Sequence, residues 1–346
     1  MTLRQLATEP PTIPTRTSWH LADLAESKGR FALHTRQSPQ RLKALREHAL
    51  IESAVSSNRI EGVEVDQSRI GTLMFGKPAL RDRDEEEVQG YRDALRWIHE
   101  QGAKLSISVS TLKKVDKLCR GEIWDSGVYK EKDVDIIQKY ADGRSRVRFK
   151  SVPAKQTPKA MTDMVELWQR GLREKWIHPL VLAAALNLDF LCVHPFRDGN
   201  GRVSRLLFLL ACYHCGLEVG RYISLERLVE QSKEDYYECL NRSSQRWHEG
   251  KHDFTPWTNF FFAIIRRGYA EFEQRAGQVK APRGTKTDLV EAAIEAQSGP
   301  FRVSDIQHAC PGVSLDMIRQ VLKNLRGRKV ECLGRGQNAQ WRVIGK

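Results

Sequence analysis

The feature that most constrains this chain is a polar stretch, residues 194–205, enclosed by two apolar segments, 186–193 and 206–213. Helices that are apolar on every side are typical of a protein core rather than of a surface. We therefore expect two buried helices that hold the polar stretch between them as a rigid loop. Each apolar segment is shorter than the ~18 residues that a membrane-spanning helix needs, so no membrane span is predicted.

Hydrophobic periodicity predicts a mainly α fold. Apolar residues recur at three- and four-residue spacing over most of the 346-residue chain, which is typical of amphipathic helices. Residues 127–150 instead alternate around a turn at 140–143, and this pattern predicts a small β-hairpin. Residues 1–17 carry Pro10, Pro11 and Pro14 and are predicted to form an extended arm. The main predicted helices cover residues 53–60, 110–118, 159–175, 179–193, 201–215, 232–247 and 255–276.

A linker at 277–284 that contains Gly, Pro and basic residues indicates a separate C-terminal unit. We divide the chain into an N-terminal helical region (1–109), a core (110–276) and a C-terminal domain (283–346). The last of these reads as helices 286–297, 303–309 and 314–327 followed by strands 329–333 and 340–344, the pattern of a winged helix-turn-helix. Basic residues crowd its third helix and the turn between its strands, so DNA and a docking protein both stay open as partners; they are Arg319, Lys323, Arg326, Arg328, Lys329 and Arg335.

Composition narrows the class of protein further. The net charge is +13, which favours polyanionic partners such as nucleotides, nucleic acid or an acidic protein surface. The seven cysteines are odd in number and scattered, as in a cytosolic protein with reduced thiols. Cys212 and Cys215 form a C-x-x-C, but it lies in an apolar run and is predicted to be buried helix rather than a zinc or redox site. The absence of a basic-then-apolar leader also favours a cytoplasmic location.

The polar stretch itself reads as a phosphate-binding site, HPFRDGNGRVSR. Gly199, Asn200 and Gly201 can aim consecutive backbone N–H groups at one anion where a helix begins. Arg202 and Arg205 follow on one helical face, from which guanidinium groups would clamp phosphate oxygens. Asp198 is the oxygen ligand that Mg²⁺ prefers beside a nucleotide. His194 titrates near neutrality, as a general base must.

Residues 194–205 resemble the signature of the Fic family, H-P-F-x-D/E-G-N-G-R-x-x-R, at every signature position. The resemblance implies a helical bundle with a β-hairpin flap. It also implies transfer of AMP from ATP, with Mg²⁺, to a Ser, Thr or Tyr hydroxyl of a target protein. In those terms His194 is the base, Asp198 holds the metal, the 199–201 backbone takes the phosphates, and Arg202 and Arg205 hold the β/γ end.

Two further assignments rest on the same resemblance. The predicted strand near 133–137 is similar to the family's flap, which clamps an extended target segment. Tyr237, next to Tyr236, is similar to residues that line the family's nucleotide pocket, although a tyrosine pair within the core is the alternative. The resemblance also implies a homodimer.

A second motif, Ser57-Asn-Arg-Ile-Glu61-Gly62, lies at the end of a predicted helix for which Gly62 is a plausible stop. Read alone, Ser57 and Glu61 could form only a solvated polar stripe. Beside residues 194–205, the segment resembles the family's inhibitory motif, S/T-x-x-x-E-G/N. A Glu61 carboxylate paired with Arg205 would then occupy the guanidinium meant for the γ-phosphate. A carboxylate there suggests a further hypothesis, that Glu61 activates water to remove AMP again.

Two other functions stay open. Nothing in residues 194–205 would distinguish one nucleobase from another, so transfer of UMP or phosphocholine on the same fold is one alternative. The other is a DNA-binding regulator in which the core only senses a nucleotide.

Overall fold

The structure is a computed structural model that describes residues 1–9, 11–37, 39–76, 79–139, 145–278, 285–310, 313–334 and 339–344. Helices dominate these residues, which confirms the predicted mainly α class. The helices before the C-terminal unit are α1 (Thr2–Thr8), α2 (Thr15–Gln37), α3 (Pro39–Ile60), α4 (Gln67–Phe75), α5 (Arg83–Gln101), α6 (Val109–Arg120), α7 (Thr157–Glu174), α8 (Pro179–Val193), α9 (Asn200–His214), α10 (Leu225–Gln231), α11 (Lys233–Ser244) and α12 (Thr255–Gln278).

Helices α8 and α9 lie in the core, as their apolar sequence predicts. Every residue of α8 after Pro179 is buried, and α9 is buried from Arg202 to Tyr213. A polar contact joins the two helices, because the Asn187 side chain donates to the Ser204 carbonyl at 2.7 Å. A buried amide needs such a partner. The pair therefore forms a rigid frame for the loop that connects them.

The predicted extended arm at 1–17 is wrong over its first half, where α1 forms instead. The Asp189 carboxylate, buried in α8, accepts the backbone N–H groups of Thr2 at 2.6 Å and Leu3 at 2.8 Å. Leu3 and Leu6 are fully buried. The helix is stabilised by burial of these two leucines and by Asp189, which accepts the free backbone N–H groups at the helix start. These two effects outweigh the preference of the following prolines for an extended chain.

The end of α3 carries the second motif, and α3 is fixed by a buried carboxylate. Glu226 of α10 accepts from Ser53 Oγ at 2.7 Å and from the Tyr91 hydroxyl at 3.0 Å. All three side chains are buried. Gly62, with φ of +85°, follows the end of the helix in the left-handed region that glycine favours.

The predicted hairpin forms, but over fewer residues. Strands β1 (Asp135–Lys139) and β2 (Ser145–Lys150) pair antiparallel, with a register shift between Ile136 and Ile137. The predicted turn at 140–143 lies outside the described residues. Helix α11 likewise ends at Ser244, before the predicted end at residue 247.

The C-terminal unit contains α13 (Thr285–Glu295), β3 (Phe301–Arg302), α14 (Val303–Ala309), α15 (Leu315–Leu325), β4 (Val330–Cys332) and β5 (Gln340–Val343). The three helices and the last two strands occupy their predicted places. The sequence analysis missed β3, which pairs with β5 to complete a sheet of order β3–β5–β4. This unit has its own apolar cluster around Phe301, Ile318 and Val330. Assignment as a winged helix stays a prediction, and Arg335 lies outside the described residues.

All seven cysteines are free thiols. Cys212 is buried within α9 and Cys215 follows its end, in agreement with the predicted helix. Over the described residues, no helix has both the length and the hydrophobicity that crossing a bilayer requires.

Candidate active site

The loop between α8 and α9 begins at His194. This residue ends α8 in the left-handed conformation, with φ of +50°, and its backbone N–H still bonds to the Phe190 carbonyl at 2.9 Å. The chain thereby turns out of the core directly after the histidine. Phe196 returns inward, where it is fully buried and packs against Phe190 and Tyr129. The loop is therefore anchored at its second turn by an aromatic side chain.

Asn200 closes the loop with its side chain. Its amide nitrogen donates to the Phe196 carbonyl at 2.8 Å, and its amide oxygen accepts the Phe196 N–H at 3.0 Å. Gly199, at φ of +81°, precedes α9 and abuts the Arg120 side chain, which a Cβ atom there would meet at 3.0 Å. The sequence analysis assigned Asn200 to the phosphate cradle through its backbone. The structure adds that the Asn200 side chain faces the loop and holds its shape.

Glu61 lies where the predicted cradle should be. An added Cβ at Gly201 would come within 2.1 Å of Glu61 Oε1, so this carboxylate rests on the first turn of α9. The same oxygen accepts from Arg205 Nη2 at 2.7 Å. The start of a helix attracts anions through its free N–H groups and its dipole. The arrangement is thus an anion site that the chain fills with its own carboxylate.

Ser57 completes the contact with Arg205. Arg205 Nε donates to Ser57 Oγ and Nη2 donates to the Ser57 carbonyl, both at 2.8 Å. Ser57 is fully buried, so it is not part of a solvated stripe. Burial by itself lowers the pKa of Arg205, but the Glu61 carboxylate and the neighbouring Tyr236 and Tyr91 together outweigh that effect, and the net shift is upward.

Arg202 has a partner that sequence reasoning missed. Its Nη1 atom donates to Glu87 of α5 at 2.5 Å and to the Asn58 side chain at 3.3 Å, and the guanidinium is almost wholly buried. Arg202 therefore shares the predicted face with Arg205 but turns toward α5. Glu87 belongs to an ordinary charged run, Asp84–Glu87, and no local signal distinguishes it from its neighbours.

Asp198 projects from the loop with its carboxylate half exposed. One oxygen accepts the Gly199 N–H at 2.7 Å, while the other lies 3.4 Å from Arg83 and 3.8 Å from Arg202. Within the described residues no cluster of three His, Cys, Asp or Glu side chains forms that would hold a metal by itself. A single accessible carboxylate fits Mg²⁺ nonetheless, since this ion binds one or two carboxylates and takes its other ligands from phosphates and water.

His194 faces a cleft of about 590 Å³. Its Nδ1 atom is buried, while the residue as a whole lines the cleft. Burial lowers the pKa of the imidazole to about 4, and the positive charge of Lys130 adds to the effect. The ring is therefore neutral at pH 7 and able to accept a proton.

Lys130 was also missed by the sequence analysis. Its buried amine donates to Ser151 Oγ at 2.6 Å and to the Val193 carbonyl at 3.1 Å, and its backbone N–H donates to the Pro195 carbonyl at 2.9 Å. Ser151 directly follows β2. Lys130 thus joins the base of the hairpin to the residues on either side of His194.

Two aromatic side chains also line the cleft. Tyr236 and Tyr237 of α11 both line it, together with Glu61 and His194. Tyr236 is buried and packs on Trp257, so it also belongs to the core. Tyr237 is half-buried, and burial raises the pKa of its hydroxyl. The position of Tyr237 fits a residue that lines a pocket, and its role toward a nucleotide stays a prediction. The burial of Tyr236 fits the alternative of a core tyrosine.

The fold and the cleft define a class: a helical domain whose polar loop at a helix N-terminus presents an anion site beside a neutral histidine. The family model of the Fic/DOC family matches residues 106–212, which include the whole loop. Residues 106–212 are therefore identified as a domain of the Fic/DOC family.

Known proteins of the family resemble the chain at low identity. It is 23% identical to the protein adenylyltransferase Fic of Nematostella vectensis over 211 residues, which cover 58% of this chain and 45% of that protein. The chain thus spans less than half the length of this relative. The crystal structure of a Fic family protein from Desulfovibrio desulfuricans superposes with a TM-score of 0.63 at 23% identity, covering 97% of this chain and 98% of the other.

A Fic domain containing signaling protein from Bacteroides thetaiotaomicron gives a TM-score of 0.62 at 20% identity, over 76% of this chain and all of the other. At these identities the structural matches establish a common fold.

Proposed function

We propose that this protein transfers AMP from ATP to a hydroxyl side chain of a target protein. The observation that carries the proposal is the position of the Glu61 carboxylate, on Gly201 and against Arg205, in the cleft that His194 lines. A carboxylate held there marks a site built for an anion. Tyr236 and Tyr237 line the same cleft and supply an aromatic surface for a base. A cleft that combines an anion site with an aromatic surface suits a nucleoside triphosphate.

The proposed reaction is a substitution at the α-phosphorus. The target hydroxyl oxygen forms a bond to this phosphorus, the bond from phosphorus to the α,β-bridging oxygen breaks, and pyrophosphate leaves. His194 takes the hydroxyl proton, for which its neutral ring is ready at pH 7. Arg205 and the N–H groups at the start of α9 orient the phosphates, which is the main task of a protein in phosphoryl transfer.

Mg²⁺ would be held by Asp198 together with phosphate oxygens and water. When bound, the ion neutralises charge on the phosphates and favours departure of the leaving group. Arg83 lies 3.4 Å from the same carboxylate and also pairs with Glu87.

We further propose that Glu61 inhibits the enzyme in cis. ATP can be seated correctly only when the Glu61 carboxylate leaves Arg205 and Gly201, because carboxylate and phosphate compete for the same donors. Near-attack geometry contributes about 7–11 kcal/mol to well-oriented reactions, so even a partial misplacement slows transfer steeply. The target segment would approach along the hairpin, where the side chains of Ile137 and Val147 are exposed.

The experiment uses ATP labelled at the α-phosphate, and in parallel at the γ-phosphate, with the Glu61→Gly protein. We expect protein-bound label from the α-position only and an AMP adduct in the intact mass. His194→Ala in the same background should abolish it, whereas His308→Ala, an exposed histidine of the C-terminal unit, should not.

Labelling that survives His194→Ala would overturn the mechanism. ATP binding with no adduct under any condition would favour the nucleotide sensor, and a UMP adduct from UTP in place of AMP would favour the other transferase. The homodimer stays a prediction of the family resemblance, and the cytoplasmic location stays a prediction of the cysteine pattern and the N-terminal sequence.

A further inference from the structure

The hairpin contains a bulge at Arg148, which is the one charged residue among the four described hairpin residues that line the cleft: Ile136, Ile137, Arg148 and Phe149. Ile136 pairs with Phe149 and Ile137 pairs with Val147, so Arg148 lies between two paired positions without a partner on β1. Such an extra residue bends the strand and redirects its side chain, and bulges are common next to active sites. Arg148 accordingly lines the same cleft as Glu61, His194 and Gly201.

Arg148 is half-buried and lies against an aromatic ring. The carbon atom of its guanidinium lies 5.4 Å from the centre of the Tyr237 ring. No carboxylate of the described residues lies within ion-pair distance of it. Burial accordingly lowers the pKa of Arg148, with the nearby tyrosines acting only as weak counterweights. A planar cation is thus held in the cleft against an aromatic face.

We propose that Arg148 is a nucleobase-binding residue that covers one face of the base while Tyr237 covers the other. The inference rests on the proposed function and adds to it a named contact for the base. A guanidinium stacks well on aromatic rings, and base stacking on flat side chains tolerates any base. A base between the two groups needs about 7 Å, since carbon atoms in contact lie about 3.5 Å apart. Arg148 must therefore move outward by about 2 Å from its present 5.4 Å contact.

The contact between Arg148 and a base would also affect the hairpin, because Arg148 lies on β2. Arg148 belongs to β2, which Lys130 ties through Ser151 to the carbonyl that precedes His194. A base that displaces Arg148 therefore also shifts the hairpin along which a target would lie. A donor that lacks a base, such as one that carries only a phosphorylated small alcohol, would leave Arg148 on Tyr237.

The test compares ATP with inorganic triphosphate, which has the same phosphates and no base. Calorimetry with Mg²⁺ in the Glu61→Gly background measures both dissociation constants. We expect Arg148→Ala to raise the Kd of ATP about tenfold and to leave that of triphosphate within about twofold. Arg148→Lys should also weaken the binding of ATP, because the lysine ammonium keeps the positive charge but lacks the flat face of a guanidinium. Arg146→Ala, an exposed arginine of the same strand, is the matched control and should change neither value.

A double-mutant cycle adds a second readout. If one base contacts both side chains, Arg148→Ala and Tyr237→Ala together should lose less ATP affinity than the sum of the single changes. An unchanged ATP affinity in Arg148→Ala would overturn the inference, and so would equal weakening of ATP and triphosphate, which would make Arg148 a phosphate contact. Failure of ATP to bind even to the Glu61→Gly protein would overturn the proposed function itself, and that result is visible before any change at Arg148 is made.

Discussion

Glu61 Oε1 lies 2.7 Å from Nη2 of Arg205, and the two side chains differ sharply in exposure. The arginine is only 3% exposed, whereas the glutamate is 31% exposed. A buried cation left without its partner is strongly unfavourable, so an anion must replace Glu61 whenever it leaves. The partly exposed glutamate can leave toward solvent. Arg205 is therefore the fixed partner of the pair, and Glu61 is the partner that another anion can displace.

Replacing Glu61 by Gly should raise self- or target adenylylation well over tenfold. Loss of the carboxylate frees Arg205 and the first turn of α9 for the triphosphate, and each 1.36 kcal/mol of recovered alignment is about tenfold in rate. Label transferred from α-labelled ATP measures the effect. Glu64→Gly, an exposed carboxylate three residues away, is the control and should have the basal rate. Equal labelling by the two variants would contradict inhibition by Glu61.

Replacing Asn200 by Ala should abolish transfer and lower the melting temperature. Both hydrogen bonds of its amide go to the backbone of Phe196, and their loss leaves a buried N–H and a buried carbonyl unpaired. Each such group costs about 1–3 kcal/mol. Thermal unfolding measures the melting temperature of Asn200→Ala and of the control variant Asn324→Ala. Asn324 is an exposed residue of α15, so its replacement should leave the melting temperature unchanged. An active Asn200→Ala protein would show that the loop keeps its shape without this side chain.

Stability should fall as the pH decreases from about 6.5 to 4. Burial lowers the pKa of His48 and His194 to about 4 and that of His99 to about 3, from 6.5. Below pH 6.5 these groups take up protons when the chain is unfolded but stay neutral when it is folded. The unfolded state therefore gains relative stability, by up to 1.36 kcal/mol per pH unit for each group.

Urea unfolding at pH 7, 6, 5 and 4.5 measures this slope. His99→Gln should reduce it, whereas the same change at the exposed His308 should not. A free energy of unfolding that stays constant over this range would contradict the burial of neutral histidines.

Glu61 should also support removal of AMP if it activates water near the modified hydroxyl. Pre-adenylylated target incubated with the wild-type protein and Mg²⁺ should then release AMP, and the Glu61→Gly protein should not. Chromatography of the free nucleotide measures the product. Absence of AMP release from the wild type would leave Glu61 with inhibition as its only proposed role.

The partner of the C-terminal unit can be decided by salt dependence. Arg319 pairs loosely with Asp316 at 3.6 Å and Lys323 is exposed, whereas Lys329 is paired with Glu291 and Glu295. If α15 enters a DNA groove, duplex affinity of the full chain should fall steeply between 50 and about 200 mM salt and should weaken in Arg319→Ala and Lys323→Ala. Weak binding that does not respond to salt would favour a protein partner.

Sequence patterns within one element were sufficient to predict that element. Core helices α8 and α9, the hairpin and the helices of the C-terminal unit follow from periodicity, because side chains on one element repeat at the spacing of that element. The end of α3 is also readable, since Gly62 supplies the backbone angle that a helix stop requires. Local reasoning failed at residues 1–9, where the helix depends on Asp189, far away in the chain.

What the sequence determined by itself is the chemistry of the loop: a histidine, an acidic residue, two glycines and two arginines in fixed order between apolar helices. The tertiary structure decided which of these groups are available, because that depends on partners distant in sequence. It pairs Arg205 with Glu61 and Arg202 with Glu87, and it brings Lys130 beside His194. Interactions of charged groups depend on distance and burial in three dimensions, and neither quantity can be read from spacing along the chain.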